Sequence, residues 1–202
     1  MSDHRSAPAA ELGAPDEPTR GWLRLGTLPV VAAVLVGLNG LYILLVAFGN
    51  ITDFGTNQAF VQHVLAMDTT NFGAPAGEDL DPDVMWRAIT DPVLQNLGYL
   101  GVIVWESATA IVLIAAVVFW IRERHRGYRV ARALSTIGLL MLLVLFMGGF
   151  ITIGGEWFQM WKSTSWNGLD PAFRNSVLAL IALVVIHLPS AHWRAAEVRA
   201  RA

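Results

Sequence analysis

The sequence predicts an all-α protein that folds as a four-helix transmembrane bundle. Of its 202 residues, 54% are hydrophobic and only 15% are charged, and the mean hydropathy is +0.50. Four apolar runs are each long enough to cross a bilayer core of roughly 30 Å as a helix. Together they leave little length for a separate soluble domain. The predicted spans cover about residues 28–48, 93–120, 133–153 and 171–188.

The spans divide the chain into a membrane domain and two tails. Residues 1–26 are rich in alanine, proline and charge, so we expect a disordered N-terminal tail. The membrane domain is predicted to occupy residues 27–190, and residues 191–202 form a C-terminal tail. A cleaved signal peptide is not expected, because the first apolar run is longer than a signal core and no small-residue cleavage site follows it.

The positive charges predict the orientation of the bundle. Eleven of the fourteen Lys and Arg residues lie before span one, between spans two and three, or after span four. Residues 50–92 connect spans one and two, and they carry seven acidic residues and one arginine. By the positive-inside rule, we expect both termini and the basic loop between spans two and three in the cytoplasm.

A faint internal repeat, at a spacing of about 100 residues, suggests two similar halves. The sequence GNITDFG at residues 49–55 matches GFITIGG at residues 149–155 at four positions. Trp86-Arg87 before span two also resembles Phe173-Arg174 before span four. We predict that each half is built as span, outer segment, span. Chance similarity between glycine-rich span ends is the alternative.

The two outer segments are predicted to form short interfacial helices. Residues 56–67 place apolar side chains at helical spacing, and residues 155–166 are rich in aromatic side chains. Tryptophan favours the membrane–water interface, where its ring is apolar and its N–H stays hydrated. We expect both segments to lie on the outer surface or to cap the bundle. An aromatic belt that only anchors the span ends is the alternative.

Glu106, close to the middle of span two, is the most informative polar residue within the spans. A carboxylate at the bilayer centre costs at least about 2.5 kcal/mol, so Glu106 needs a partner, a proton or water. Asn39 has a similar depth in span one, and we expect an Asn39–Glu106 hydrogen bond, which Thr109 can join. Two interpretations remain open. Glu106 is either a proton, ion or ligand site, or part of a structural clamp between helices.

Several classes of chemistry have no support in the sequence. The chain has no cysteine, and its five histidines do not form the patterns of haem or di-iron centres. No nucleotide-binding or hydrolase motif occurs. We therefore expect no enzymatic activity, no metal, no cofactor and no nucleic-acid partner. The outer segments supply further candidate site residues, chosen by location alone: Asp53, His63, Arg87, Glu156, Trp157, Trp161 and Arg174.

Four motifs carry a resemblance to a known family. They are AFGNITDFGTNQAFVQHVLAMDTT at residues 47–70, MWRAIT at 85–90, IGGEWFQMWKSTSWNG at 153–168 and AFR at 172–174. Over residues 42–188 the chain closely resembles a bacterial family of predicted small integral membrane proteins of unknown function. The resemblance implies four spans, an acid in span two (here Glu106) and a place in the bacterial inner membrane. The chain departs from the family in residues 1–26 and 73–83.

Two functions are consistent with these observations. The first is a non-enzymatic membrane module, such as an accessory subunit of a larger membrane complex, which meets membrane lipid and either other subunits or further copies of itself. The second is a small proton-coupled or solute transporter that uses Glu106 near the bilayer midplane. Small size, few polar groups within the spans and the aromatic outer segments favour the first.

Overall fold

The computed structural model describes residues 21–124 and 126–193, so most of both predicted tails lies outside the described residues. Residues Gly21–Gly26, assigned above to the disordered tail, form a 3-10 helix. The described part is all-helical, and four of its helices are long and apolar enough to cross a membrane. This confirms the predicted fold class. The helices are α1 (Leu28–Thr52), α2 (Phe54–Ala66), α3 (Pro92–Arg122), α4 (Arg129–Leu143) with a π-helical continuation (Val144–Trp157), and α5 (Leu169–His187).

Acidic side chains cap the starts of two of the spans. At the start of α3, the Asp91 carboxylate accepts hydrogen bonds from the backbone N–H groups of Val93 and Leu94, at 2.7 and 3.3 Å. Glu123 accepts from the first backbone N–H groups of α4, at 2.9 and 3.0 Å. The 31-residue α3 is the longest α-helix described, and at about 1.5 Å per residue it is longer than an apolar core of roughly 30 Å.

The four spans pack as antiparallel neighbours around one core. α1 packs on α3, α3 on α4, α4 on α5, and α5 closes the ring against α1. Leu113 of α3 is fully buried between two glycines, Gly40 of α1 and Gly138 of α4. A Cβ atom at Gly138 would lie only 2.5 Å from Leu113 Cδ2. These glycines let the backbones approach closely, and the leucine between them sets the register of three helices.

The third span changes from α-helix to π-helix at Val144. The Thr152 hydroxyl donates to the Met147 carbonyl, five residues back, at 2.8 Å. The matching threonine of the first half, Thr52, donates to the Phe48 carbonyl, four residues back, at 2.8 Å. The two halves therefore share the order span, connecting segment, span, but they differ in helix type at their best-matched positions.

The two outer segments pack together at one end of the bundle. We call α2, residues 67–91 and residues 158–168 the cap, and this end the cap end. The Thr69 and Ser163 hydroxyls lie 2.9 Å apart, and the Phe72 N–H donates to the Lys162 carbonyl at 3.1 Å. α2 confirms that the first segment is helical. The second segment differs, because it completes the π-helix and then forms one 3-10 turn, Met160–Lys162.

An aromatic cluster closes the opposite end, which we call the terminal end. The Trp120 ring lies 5.1 Å from Tyr128 and 5.9 Å from Trp193, measured between ring centroids. The Arg132 guanidinium lies 4.8 Å from the Trp193 ring, and its Nε donates to the Ile186 carbonyl at 3.0 Å. The first residues of the predicted C-terminal tail are therefore packed on the bundle.

Candidate functional site

A chain of three polar side chains connects Glu106 to the cap. Glu106 is 3% exposed, and its Oε2 accepts a hydrogen bond of 2.7 Å from Nδ2 of Asn50. Asn50, near the end of α1, is 5% exposed, and its Oδ1 accepts a bond of 2.6 Å from Nδ2 of Asn57. Asn57 lies on α2 at the surface. We call Asn57, Asn50 and Glu106 the amide chain, and it holds α1, α2 and α3 together.

The predicted Asn39–Glu106 hydrogen bond is wrong. Asn39 Nδ2 donates instead to the Leu35 carbonyl of its own helix, at 2.9 Å. The reason is the register of α1 against α3, which places Gly40 beside Leu113. Asn39 therefore lies two to three helical turns, or about 12–16 Å, from the level of Glu106.

The same register places Glu106 in the half of the bundle nearer the cap. Leu113 packs at the middle of α1, and Glu106 precedes it by seven residues, or about 10 Å of helix. Thr109, expected to join Glu106, is buried, and its hydroxyl donates to the Trp105 carbonyl at 2.7 Å. Glu106 thus has Asn50 as its one hydrogen-bond donor among the described residues.

Tyr99 lies next to the amide chain and was missed by the sequence analysis. It precedes Glu106 by seven residues, which places it on the same face of α3, about two helical turns nearer the cap. It is 1% exposed, and its hydroxyl has no hydrogen-bond partner in the part of the chain described. Its ring packs 4.6 Å from that of Phe54, at the start of α2. The seven-residue spacing from Glu106 is the sequence signal that could have identified Tyr99. Asn50 carries no such signal, because it resembles the polar end of an apolar run.

Arg87 of the cap contacts Trp157, the last residue of the π-helix. The Arg87 guanidinium carbon lies 5.1 Å from the Trp157 ring centroid and 5.5 Å from that of Trp86. Its Nη1 donates a long bond of 3.4 Å to the Trp157 carbonyl. Glu156, the neighbour of Trp157, is exposed and makes no hydrogen bond or ion pair with the described residues.

The remaining candidates hold separate parts of the cap. His63 Nδ1 lies 2.9 Å from the Asp68 carboxylate, and its ring stacks on Trp166 at 4.6 Å. Trp161 packs against Phe72, with ring centroids 5.9 Å apart.

Asp53 separates α1 from α2 and accepts a 2.7 Å bond from the Thr56 hydroxyl. Arg174 is exposed in the first turns of α5. No hydrogen bond or ion pair in residues 21–124 and 126–193 joins Asp53, His63 and Glu156 into one group. The same residues contain no cluster of three or more His, Asp or Glu side chains that could hold a metal ion.

Comparison with protein families matches residues 28–189 to the family described as "Predicted small integral membrane protein (DUF2165)". The chain belongs to this family. The match begins where α1 begins and ends just after α5, so it covers all four apolar helices. The predicted family is therefore confirmed, and the protein is an integral membrane protein. No curated protein and no solved structure matches the chain.

Proposed function

We propose that this protein is a non-enzymatic membrane module that serves as an accessory subunit of a larger membrane complex. The observation that supports it best is the state of Glu106, the buried acid of the second span. Its side chain is almost fully buried and accepts a hydrogen bond from Asn50 of the neighbouring helix. A carboxyl group in that setting acts as a structural clamp between helices.

The chemistry of the amide chain also suits a clamp. Asn57 donates to Asn50, and Asn50 donates to Glu106, so the chain has one direction and ends on an acceptor. An asparagine amide does not titrate near neutral pH, so two amides in series are a poor route for protons. The same bonds fix the angle between α1 and α2, because they join α2 to α1 and α1 to α3.

The lipid-facing surface offers a place for a partner helix. Gly101 on α3 is exposed, and a Cβ atom built there meets no atom within 4 Å. Small residues on an exposed transmembrane face allow close helix–helix approach. We therefore place the partner against the outward face of α3.

Purification at native expression level in a mild detergent tests the proposal. We expect a second membrane protein, or a second copy, to co-purify at fixed stoichiometry. Since the chain lacks cysteine, a Gly101→Cys variant supplies a single crosslinking site. It should capture the partner, whereas the matched Leu178→Cys variant on α5 should not. A lone monomer at native expression would exclude the accessory-subunit function.

We also propose that the protein lies in a bacterial inner membrane with both termini in the cytoplasm. The support is the charge distribution. Eleven of the fourteen Lys and Arg residues lie in segments next to the terminal end, and the segments at the cap end are acidic. In this orientation the cap faces outward.

A small proton-coupled transporter is the second candidate function. Its support is Tyr99, which lies on the same face of α3 about two turns nearer the cap than Glu106, and whose buried hydroxyl has no hydrogen-bond partner among the described residues. These two polar groups are the ones that an ion or a small solute would meet along this face. Glu106→Gln is the test, because glutamine keeps an acceptor oxygen for Asn50 and cannot ionise. Loss of proton flux in proteoliposomes, with the fold intact, would establish this function. Unchanged flux, or no flux from either protein, would exclude it.

A further inference from the structure

Arg87 is held in the cap with most of its hydrogen-bond donors unused. Two indole rings, Trp86 and Trp157, flank it, and these rings meet edge to face at 5.5 Å and 87°. Its Nε is buried without a partner among the described residues, and its one bond, to the Trp157 carbonyl, is long. No carboxylate in residues 21–124 and 126–193 lies within 4.0 Å of the guanidinium. The ring contacts fix a cation in place and leave it free to bind an anion.

The cluster lies where a bilayer places its headgroups. Trp157 is the last residue of the third span, and Arg87 lies shortly before the second. Trp86 is 70% exposed and Trp157 is 45% exposed, which is typical of rings at the membrane–water interface. The anion that meets an arginine at this depth is a lipid phosphate, which a guanidinium binds through paired hydrogen bonds.

A shallow, open cleft next to the cluster adds an apolar wall and an acid. It has a volume of about 570 Å³ and is lined by Thr152, Ile153, Glu156, Trp157 and Phe158. Its surface is mostly apolar, which suits the first carbons of an acyl chain. Glu156 also lines it, and its carboxylate has no hydrogen-bond or ion-pair partner among the described residues, so Trp157 has an acid beside it in the chain and Arg87 over its ring. A purely anionic headgroup would be repelled by Glu156, whereas an ammonium group would be attracted to it and to the indole faces.

We propose that Trp86, Arg87, Glu156 and Trp157 form a binding site for one phospholipid with a zwitterionic headgroup. Arg87 binds the phosphate and Glu156 binds the ammonium group. One acyl chain lies against Ile153 in the cleft. This site is independent of the amide chain at Glu106.

Native mass spectrometry of the full chain after delipidation tests the proposal, with phosphatidylethanolamine and phosphatidylglycerol of matched acyl chains as probes. We expect one tightly bound phosphatidylethanolamine. Arg87→Gln should weaken its binding at least about tenfold, the scale of one charge-assisted contact. Arg87→Lys should restore part of the loss. Arg174→Gln, which removes another exposed arginine of the cap end, should have no effect.

Glu156→Gln separates headgroup recognition from general lipid attraction. It should reduce the preference for phosphatidylethanolamine over phosphatidylglycerol by about fivefold or more, because only the ammonium contact is lost. Equal or tighter binding of phosphatidylglycerol by the unmodified protein would overturn the zwitterionic assignment. Retention that is insensitive to Arg87→Gln would overturn the site itself. Displacement of the lipid by soluble phosphoethanolamine at equal concentration would show that the headgroup alone binds, and would overturn the acyl-chain seat.

Discussion

Asn50→Ala should destabilise the bundle by about 2 kcal/mol, because Asn50 is the one described donor to a buried acid. A hydrogen bond between helices within the membrane contributes about 0.6–1.7 kcal/mol. Its loss also leaves Glu106 buried without a donor, and an unsatisfied buried polar group costs about 1–3 kcal/mol. Asn57, the third member, is exposed, and water replaces the acceptor that it loses. The two contributions overlap, because both come from the loss of the same hydrogen bond. We therefore expect the free energy of unfolding to fall by about 2 kcal/mol, the middle of the roughly 1–3 kcal/mol range.

A double-mutant cycle in mixed micelles measures this bond directly. SDS titration followed by circular dichroism gives the free energy of unfolding of Asn50→Ala, Glu106→Ala and the double variant. Because the side chains are in contact, we expect a coupling energy of about 1 kcal/mol between them. Independent, additive effects would refute the assignment of the clamp to this pair.

Asn39→Ala on the same helix is the matched control. Asn39 bonds within α1, to the Leu35 carbonyl, and alanine favours a helix more than asparagine does. We expect a change of less than about 0.5 kcal/mol and no coupling to Glu106. Coupling of Glu106 to Asn39 rather than to Asn50 would show that the register of α1 against α3 is wrong.

Three further predictions follow from the packing, a helix cap and the charge distribution. Gly138→Ala should lower the free energy of unfolding by about 1–3 kcal/mol through overpacking against Leu113. The control Gly101→Ala should leave the free energy of unfolding equal or slightly higher. Equal effects of the two variants in an SDS titration would contradict the close packing at position 138. Glu123→Ala should cost about 1 kcal/mol, because the first N–H groups of α4 lose their acceptor, and hydrogen exchange at these amides should increase. In this cysteine-free chain, Glu78→Cys should react with an impermeant maleimide on intact cells, and Arg126→Cys only after permeabilisation; the reverse pattern would invert the proposed orientation.

The sequence predicted the spans because the length of an apolar run directly reports a membrane crossing. It did not predict which residues face each other across the bundle. That depends on the register, which is set here by Leu113 between Gly40 and Gly138. Hydropathy contains no such information, so Asn39 and Glu106 were paired only because each lay near the middle of its run.

The second outer segment shows a different limit. Its aromatic residues predicted an interfacial helix, but three residues of this segment, Gly155–Trp157, complete the π-helix. A side-chain pattern reports which residues share a face, and it does not separate hydrogen bonding to the fourth residue back from bonding to the fifth. The cap itself was predictable from its aromatic residues, while the pairing of Arg87 with Trp157 required tertiary structure.

The two candidate functions differ in how activity should depend on stability. If Glu106 acts only as a clamp, any cellular phenotype of a variant follows its free energy of unfolding, so Asn50→Ala is harmful and Glu106→Gln is nearly silent. If Glu106 exchanges protons, Glu106→Gln is the more harmful of the two variants. It keeps the acceptor for Asn50, so the fold is preserved, but it removes the titrating group. The pair of variants therefore separates the functions without knowledge of the partner or the solute. Since Asn50 links Glu106 to Asn57 on α2, Asn50→Ala also loosens the attachment of the cap to the spans.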